Sequence, residues 1–201
     1  MTKEELIKFE TEIADLYKEG KIRTPVHLGG DNEDELIEIF KDIKKEDWIL
    51  STWRNHYHWL LSGRSASYLR ERILSGNSMH IYDDTFFTSA IVGGIAPIAV
   101  GIGWALKQQD SEAIVHCFLG DMGASTGIAM ESIRYVCGHK LPVQFYIEDN
   151  GLSVRTDTQE VWGCKDCGAM FDVCYPDGRC RKIYKYNRKY PHAGIGKKVL
   201  F

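Results

Sequence analysis

The chain has 201 residues, of which 44% are hydrophobic and 26% are charged, and its formal net charge is −3 at pH 7. This length and composition suit one ordinary globular domain with a buried core. The small negative charge gives no electrostatic basis for binding nucleic acid, so we expect no such partner. The opening residues are charged and amphipathic rather than a basic-then-apolar leader, so we expect a cytoplasmic protein.

The N-terminal part of the chain predicts two helices and then a strand. Thr2 and Glu5 form a capping-box pattern at the start of a helix that is expected to run to about Lys18. A second helix is expected over residues 33–43, and a short strand over residues 49–52. These helices are interpreted as packing elements.

Aromatic and histidine side chains follow that strand in the cluster WRNHYH at residues 53–58, which we interpret as the strand's end. A further amphipathic helix is expected over residues 63–74. The segment 86–106 carries no formal charge and is long enough to span a bilayer. Because Pro97 and four glycines interrupt it, we favour a buried helix at a subunit interface and expect no membrane partner.

The stretch from Ala113 to Val154 predicts the unit around which the chain is organised. Residues 113–119 and 143–147 are apolar runs that are typical of buried strands. Between them, the glycine-rich GDMGASTG and apolar residues at helical spacing predict a tight turn and a helix. This order indicates a βαβ unit, and hence an α/β fold with a parallel sheet and helices on both faces.

A polar residue follows each of the two predicted strands. Asp121 follows the first strand, and Asn150 follows the second. Open α/β sheets bind ligands beyond the carboxyl ends of parallel strands, so we expect these side chains to meet there. Carboxylate and amide oxygens suit Mg²⁺ or Ca²⁺ shared with a phosphate, and a helix after Gly123 would add N–H groups. The spacing matches neither G-x-G-x-x-G nor a Walker loop. The alternative is an ordinary βαβ turn with solvated polar residues.

Several blocks of the sequence resemble one known family. GDMGAS, LPVQFYIEDN and GLSV are similar to the thiamine diphosphate motif, and four further blocks stand in the family's order: HLGGDNEDEL, STWRNHYHWLLSG, NSMH and AIVGGIAPIAVGIGWALK. Together they cover residues 20 to 158. The chain thus resembles the α subunit of the 2-oxoacid dehydrogenase E1 component, with transketolase a more distant relative. The resemblance implies a thiamine-diphosphate-binding fold with thiamine diphosphate and Mg²⁺ as cofactors.

The resemblance also implies a set of cofactor-binding residues: Trp53, Arg54, Ala90, Val92, Asp121, Met122, Gly123, Asn150 and Leu152. Within this set, Asp121, Asn150 and the Leu152 carbonyl would hold Mg²⁺, and the Arg54 guanidinium would hold the diphosphate.

Two further implications concern catalysis and the motif's turn. His56 and His80 are the candidate catalytic residues, as groups that could stabilise an oxyanion or move a proton. Met122 stands where the family's GDG motif has its second glycine. If that position needs a positive φ, methionine is strained there unless Gly123 makes the turn.

The resemblance implies an α-type subunit that acts on a 2-oxoacid by decarboxylation and acyl transfer. The chain shows no counterpart of the family's C-terminal histidine-containing loop or of its pyrimidine-binding domain. We therefore expect a β-type subunit to complete the active site in a heterotetramer. Two alternatives remain open at this point: a transketolase-like carboligase acting on an aldehyde, and a non-catalytic interaction module stapled by zinc.

The distribution of the cysteines suggests that the chain has two parts. We predict a cofactor-binding domain over residues 1–160 and a cysteine-containing extension over residues 161–201, with a possible zinc-binding insert at 162–180. The candidate Zn²⁺ ligands are Cys164, Cys167, Cys174 and Cys180, with free or redox-active thiols as the alternative. Cys117 and Cys137 are predicted as small core residues. The final stretch, 183–201, predicts a short strand that docks the C-terminus.

Overall fold

The computed structural model of the protein describes residues 1–163 and 180–192. Its helices are α1 (Lys3–Lys18), α2 (Glu33–Phe40), α3 (His56–Leu61), α4 (Ala66–Leu74), α5 (Ile95–Gln108), α6 (Asp121–Ala124), α7 (Gly127–His139) and α8 (Thr158–Trp162). Its strands are β1 (Trp48–Ser51), β2 (Phe86–Thr88), β3 (Val115–Gly120), β4 (Val143–Asp149), β5 (Leu152–Ser153), β6 (Thr156–Asp157) and β7 (Arg181–Lys185).

Five of these strands form one parallel sheet in the order β2-β1-β3-β4-β7. The central pair, β3 and β4, is in register from Val115 opposite Val143 to Gly120 opposite Glu148. The short strands β5 and β6 form a separate antiparallel hairpin directly after β4. The predicted fold class, an α/β fold built on a parallel sheet, is therefore confirmed.

Helices cover both faces of the sheet, as predicted. Cys117 and Leu119 of β3 lie in one apolar cluster with residues of α5 and α7. Phe118, between them, lies in the other cluster with residues of α1 to α4. Because side chains alternate along a strand, one apolar run supplies the cores on both faces.

The predicted start of the first helix is confirmed. The Thr2 hydroxyl accepts from the Glu5 backbone N–H at 3.3 Å, and the Glu5 carboxylate accepts from the Thr2 N–H at 2.7 Å. The uncharged segment 86–106 divides into β2, a turn and α5. Among the described residues, no helix is long and apolar enough to cross a bilayer.

The cluster WRNHYH is not a strand end, because the helix α3 begins within it at His56. Asn55 stands at the N-cap but makes no side-chain cap bond. Its Nδ2 instead donates to the carbonyls of Thr52 and Ser78, each at 3.0 Å. The sequence therefore offers a favoured N-cap residue, but its side chain bonds to the chain around Thr52 and Ser78 and not to the helix.

The segment assigned to a C-terminal extension contributes to the main sheet. Its strand β7 pairs with β4 over five positions, from Arg181 opposite Phe145 to Lys185 opposite Asp149. The predicted docking strand is thus present, and the main sheet includes residues beyond position 160. Cys180, directly before β7, forms a disulfide with Cys137 of α7, and their Cα atoms are 5.9 Å apart.

Candidate functional site

A cavity of about 270 Å³ lies where the carboxyl ends of β1, β3 and β4 meet. Eight of the nine predicted cofactor-binding residues line it: Trp53, Arg54, Val92, Asp121, Met122, Gly123, Asn150 and Leu152. The exception is Ala90, which lies two residues before Val92 and does not line the cavity. The topology thus gathers side chains that are nearly a hundred positions apart in sequence.

Asp121 begins α6 at the end of β3 and is only 5% exposed. Its Oδ2 accepts a hydrogen bond from the Thr158 hydroxyl at 2.5 Å. Burial raises the pKa of the Asp121 carboxyl, while this hydrogen bond acts in the opposite direction. The ionised carboxylate is therefore held at a cost in desolvation that a bound cation would offset.

Arg54 follows β1 and carries its guanidinium into the same cavity. Its Nε and Nη2 are buried and have no hydrogen-bond partner among the residues that the structure describes. Burial lowers the pKa of Arg54, and the neighbouring Tyr186 and Glu148 act in the opposite direction. Because an unpaired buried N–H group is costly, this guanidinium is suited to an anion that enters the cavity.

Asn150 and Leu152 stand just beyond β4. The Asn150 Oδ1 accepts from the Leu152 backbone N–H at 3.1 Å, and its Nδ2 donates to the Tyr186 hydroxyl at 3.1 Å. The bond from the Leu152 N–H identifies the amide oxygen, because a backbone N–H can only donate. The oxygen keeps a second lone pair, so it can also accept a cation.

The GDMGAS segment adopts a helical conformation in which Met122 is not strained. Residues 121–124 make the single helical turn α6, and neither Met122 nor Gly123 has a positive φ. The long helix begins only at Gly127, where the Thr126 hydroxyl caps it. Methionine is therefore compatible with this turn, and the side-chain change leaves the backbone path intact.

Gly93 brings the loop after β2 against the start of α7. Its φ is +73°, and a Cβ there would lie 2.4 Å from the Thr126 hydroxyl oxygen. Any larger residue would be strained in both respects. This close approach places Val92, which is 53% exposed, on the wall of the cavity.

A buried polar network supports one side of the cavity. Glu148 Oε1 accepts from the Tyr184 hydroxyl at 2.5 Å and lies within hydrogen-bonding distance of Asn32 and His58, at 3.4 and 3.3 Å. His58 Nδ1 is in turn 2.7 Å from the Ser51 hydroxyl. Ser51 is fully buried, so this Ser-His-Glu series is a support for the sheet rather than an exposed nucleophile.

Two cavity residues, Tyr186 and His192, come from the segment after β7 and were missed at the level of sequence. The pKa of Tyr186 is raised to about 12 by burial, with Glu148 acting in the same direction. His192 Nε2 lies 3.3 Å from His27 Nε2, and its ring lies 5.6 Å from the Trp53 ring. The tyrosine, arginine and histidine residues concentrated in YNRKYPH were the available signal.

His192 is held in its neutral form. Burial lowers the pKa of His192 to about 4, and the positive charges of Arg54, Arg188 and Arg155 act in the same direction. Arg188 also donates to the Val154 carbonyl at 2.6 Å, which ties this segment to the hairpin after β4. A neutral imidazole in this position can donate or accept a hydrogen bond with a bound molecule.

The two histidines predicted to be catalytic do not line the cavity. His56 is fully buried, with Nδ1 3.0 Å from the Glu10 carboxylate, which also accepts from the Gly29 N–H. His80 is exposed, and its carbonyl accepts from Arg72. The structure therefore places His56 beside Glu10 and brings neither histidine to the cavity, and their catalytic role stays a prediction.

The predicted zinc ligands are only partly within the described residues. Cys164, Cys167 and Cys174 lie outside them. Cys180 is bonded to Cys137, and a zinc ligand must be a free thiolate, so the prediction for Cys180 is wrong in this structure. Cys137 packs against an apolar cluster, which agrees with its prediction as a core residue, but it is bonded to Cys180, whereas Cys117 is free and buried as predicted.

The charges of the cavity fit a metal-bound diphosphate. A buried guanidinium and a buried carboxylate share it, and within residues 1–163 and 180–192 no salt bridge joins Arg54 to Asp121. A diphosphate would pair with the first and its metal ion with the second. The fold and site thus define an α/β protein suited to a phosphorylated cofactor at the carboxyl edge of its sheet.

The chain belongs to the dehydrogenase E1 component family, whose model matches residues 1–170. The resemblance stated from the sequence is thereby confirmed, and with it a family that depends on thiamine diphosphate.

Among similar proteins, pyruvate dehydrogenase E1 component subunit alpha of Rickettsia bellii is 29% identical over 163 residues, covering 75% of this chain and 50% of the relative. The same subunit of Rickettsia conorii is 28% identical over 197 residues, covering 86% and 60%. The mitochondrial type II subunit of Ascaris suum is 28% identical over 206 residues, covering 94% and 53%. The chain spans about half the length of the curated relatives it matches.

Proposed function

We propose that this chain is the α-type subunit of a thiamine-diphosphate-dependent enzyme of the E1 class and that it holds the diphosphate end of the cofactor. The observation that carries the proposal is the Arg54 guanidinium, whose Nε and Nη2 are buried without a partner in the described structure. An unpaired buried cation is costly, and such groups cluster at ligand sites, so this guanidinium supports an anion that binds in the cavity.

Each wall of the cavity has a role in this proposal. Asp121, Asn150 and the Leu152 carbonyl hold Mg²⁺, which neutralises part of the diphosphate charge. Arg54 binds the diphosphate oxygens through its fork of N–H groups. Trp53 adds apolar surface beside them. Bound thiamine diphosphate supplies the carbon nucleophile and the electron sink that decarboxylation needs.

The histidine that faces the cavity differs from those expected from sequence. Among the histidines that the structure describes, His192 is the one that lines the cavity, and it is neutral above its lowered pKa of about 4. Its neutral ring can exchange a hydrogen bond with a substrate group in the cavity. Arg188 and Arg155, whose charges act on His192, favour an anionic substrate. The E1 family match supports a 2-oxoacid over an aldehyde.

Exposed apolar side chains support a partner subunit. Ile91, Val92 and Ile128 are 72%, 53% and 47% exposed around the loop that reaches the cavity. Trp104 of α5 and Tyr135 of α7 are also exposed, and their rings lie 6.3 Å apart. A soluble protein covers an apolar surface of this kind in its assembled state. We infer that a β-type subunit docks here, completes the pyrimidine side of the active site and forms a heterotetramer.

Calorimetry tests this division of the site. Thiamine diphosphate with Mg²⁺ should bind only weakly to the isolated chain, because the chain supplies one side of the site. Binding should tighten by at least about a hundredfold when a β-type E1 subunit is co-purified with it. Thiamine without its phosphates is the matched control and should bind weakly to both. Tight binding to the isolated chain, or binding to neither form, would contradict the proposal.

A further inference from the structure

Thr158 is the first residue of α8 and is 4% exposed. Its hydroxyl donates to Asp121 Oδ2 at 2.5 Å across a separation of 37 residues. This hydrogen bond joins the C-terminal half of the chain to the carboxylate that follows β3. It uses one of the about four acceptor positions that a carboxylate offers.

Thr158 also contacts the loop that follows β4. Its backbone N–H donates to the Gly151 carbonyl at 2.9 Å, and Gly151 stands between Asn150 and Leu152. One residue therefore bonds to both segments that carry the proposed Mg²⁺ ligands. Gly151 has a φ of +68°, a conformation that glycine adopts without strain, so the loop can turn back onto Thr158.

The position of Thr158 is fixed by its neighbours. Asp157 caps α8, and its Oδ1 accepts from the backbone N–H groups of Gln159 and Glu160 at 2.8 and 3.2 Å. The β5–β6 hairpin holds the preceding residues, with Leu152 opposite Asp157. The hydroxyl is thus presented by a short, well-bonded unit rather than by a free loop.

We propose that Thr158 is the positioning residue for the metal site: it orients the Asp121 carboxylate and sets its distance from the Asn150 loop. The inference rests on the proposed function, because it assigns Mg²⁺ to Asp121. Partners of a metal-ligating carboxylate typically change metal affinity by about 10- to 100-fold when they are removed. Thr158 does not itself contact the metal or the cofactor in this proposal.

The test compares Thr158→Val with Thr158→Ser in the chain co-purified with a β-type E1 subunit, because the isolated chain is expected to bind the cofactor only weakly. Valine has nearly the shape of threonine but no hydroxyl, and serine keeps the hydroxyl. Tryptophan fluorescence, to which Trp53 of the cavity wall contributes, reports binding of thiamine diphosphate at a series of free Mg²⁺ concentrations. We expect Thr158→Val to raise the half-saturating Mg²⁺ concentration by about tenfold or more, and Thr158→Ser to stay within about threefold of the wild type.

The melting temperature of the cofactor-free variants separates positioning from structure. A purely structural role predicts that Thr158→Val melts earlier while its half-saturating Mg²⁺ concentration is unchanged, and this result would overturn the inference. If Thr158→Val does not fold, Thr158→Ala removes the same hydroxyl without adding a methyl group and is judged by the same criterion. If the wild type shows no Mg²⁺-dependent binding of thiamine diphosphate, both the proposed function and this inference are wrong. If the wild type binds and Thr158→Val has the same half-saturating Mg²⁺ concentration, only this inference is wrong.

Discussion

Replacing Asp121 with asparagine should abolish the rise in melting temperature that thiamine diphosphate and Mg²⁺ cause in the wild-type protein. Asparagine keeps the side-chain size and an acceptor for the Thr158 hydroxyl, so the local hydrogen bond survives. The lost charge leaves Mg²⁺ without its buried counter-ion. Losing one partner of a buried ion pair costs about 3–5 kcal/mol, which is more than a hundredfold in affinity.

The cofactor-free Asp121→Asn protein should melt no earlier than the wild type. Burial raises the pKa of Asp121, which means that the ionised carboxylate opposes folding when no cation is bound. Asp149→Asn is the matched control, because it removes the same charge from a residue that does not line the cavity. An Asp121→Asn protein that unfolds without cofactor, or one that still responds to it fully, would show that Asp121 is structural.

Asn150 allows a second comparison on the same metal. Asn150→Ala should weaken the response to the cofactor less than Asp121→Asn does, because it removes a neutral oxygen. The double variant should look no worse than Asp121→Asn alone, since one metal ion cannot be lost twice. Independent, additive losses would indicate that the two residues serve different sites.

Replacing Arg54 with alanine should reduce the affinity for thiamine diphosphate by about 2–5 kcal/mol while leaving the cofactor-free protein at least as stable. The two effects have opposite signs because the Arg54 guanidinium is buried without a hydrogen-bond partner for Nε and Nη2 among the described residues. Arg54→Lys should recover only part of the affinity, because an ammonium group cannot reproduce the two-pronged contact. Calorimetric titration of the three proteins measures the difference.

Arg64 supplies the control for Arg54. It is an arginine already paired, with Nε 2.6 Å from Asp83 and Nη2 2.7 Å from Thr85, and it does not line the cavity. Arg64→Ala should lower stability slightly and leave cofactor affinity unchanged. If Arg54→Ala instead destabilises the cofactor-free protein and binds thiamine diphosphate normally, the guanidinium is a structural group with a partner outside the described residues.

The sequence was sufficient to predict the parts of the site that depend on local order. A strand, a glycine-rich turn, a helix and a second strand must place Asp121 and Asn150 at one edge of a parallel sheet. The apolar runs at residues 113–119 and 143–147 carry that information directly. Both residues do line one cavity in the structure.

The side of the cavity formed by Tyr186 and His192 could not be predicted, because it depends on pairing between strands that are far apart in sequence. Tyr186 and His192 reach the cavity only because β7 pairs with β4, and no local pattern specifies which strand a distant segment joins. The sequence also did not show that His56 of WRNHYH lies outside the cavity, for a related reason. A helix begins at His56, and its turn of about 100° per residue directs the imidazole into the core beside Glu10.

The most direct test of the account is a crystal structure of the chain with thiamine diphosphate and Mn²⁺, because anomalous scattering from Mn²⁺ locates the metal independently of the surrounding model. The account predicts one Mn²⁺ at the carboxyl edge of the sheet, bound by Asp121, Asn150 and the Leu152 carbonyl, with the diphosphate on Arg54. Metal bound elsewhere, or a diphosphate that leaves the Arg54 guanidinium unpaired, would contradict it.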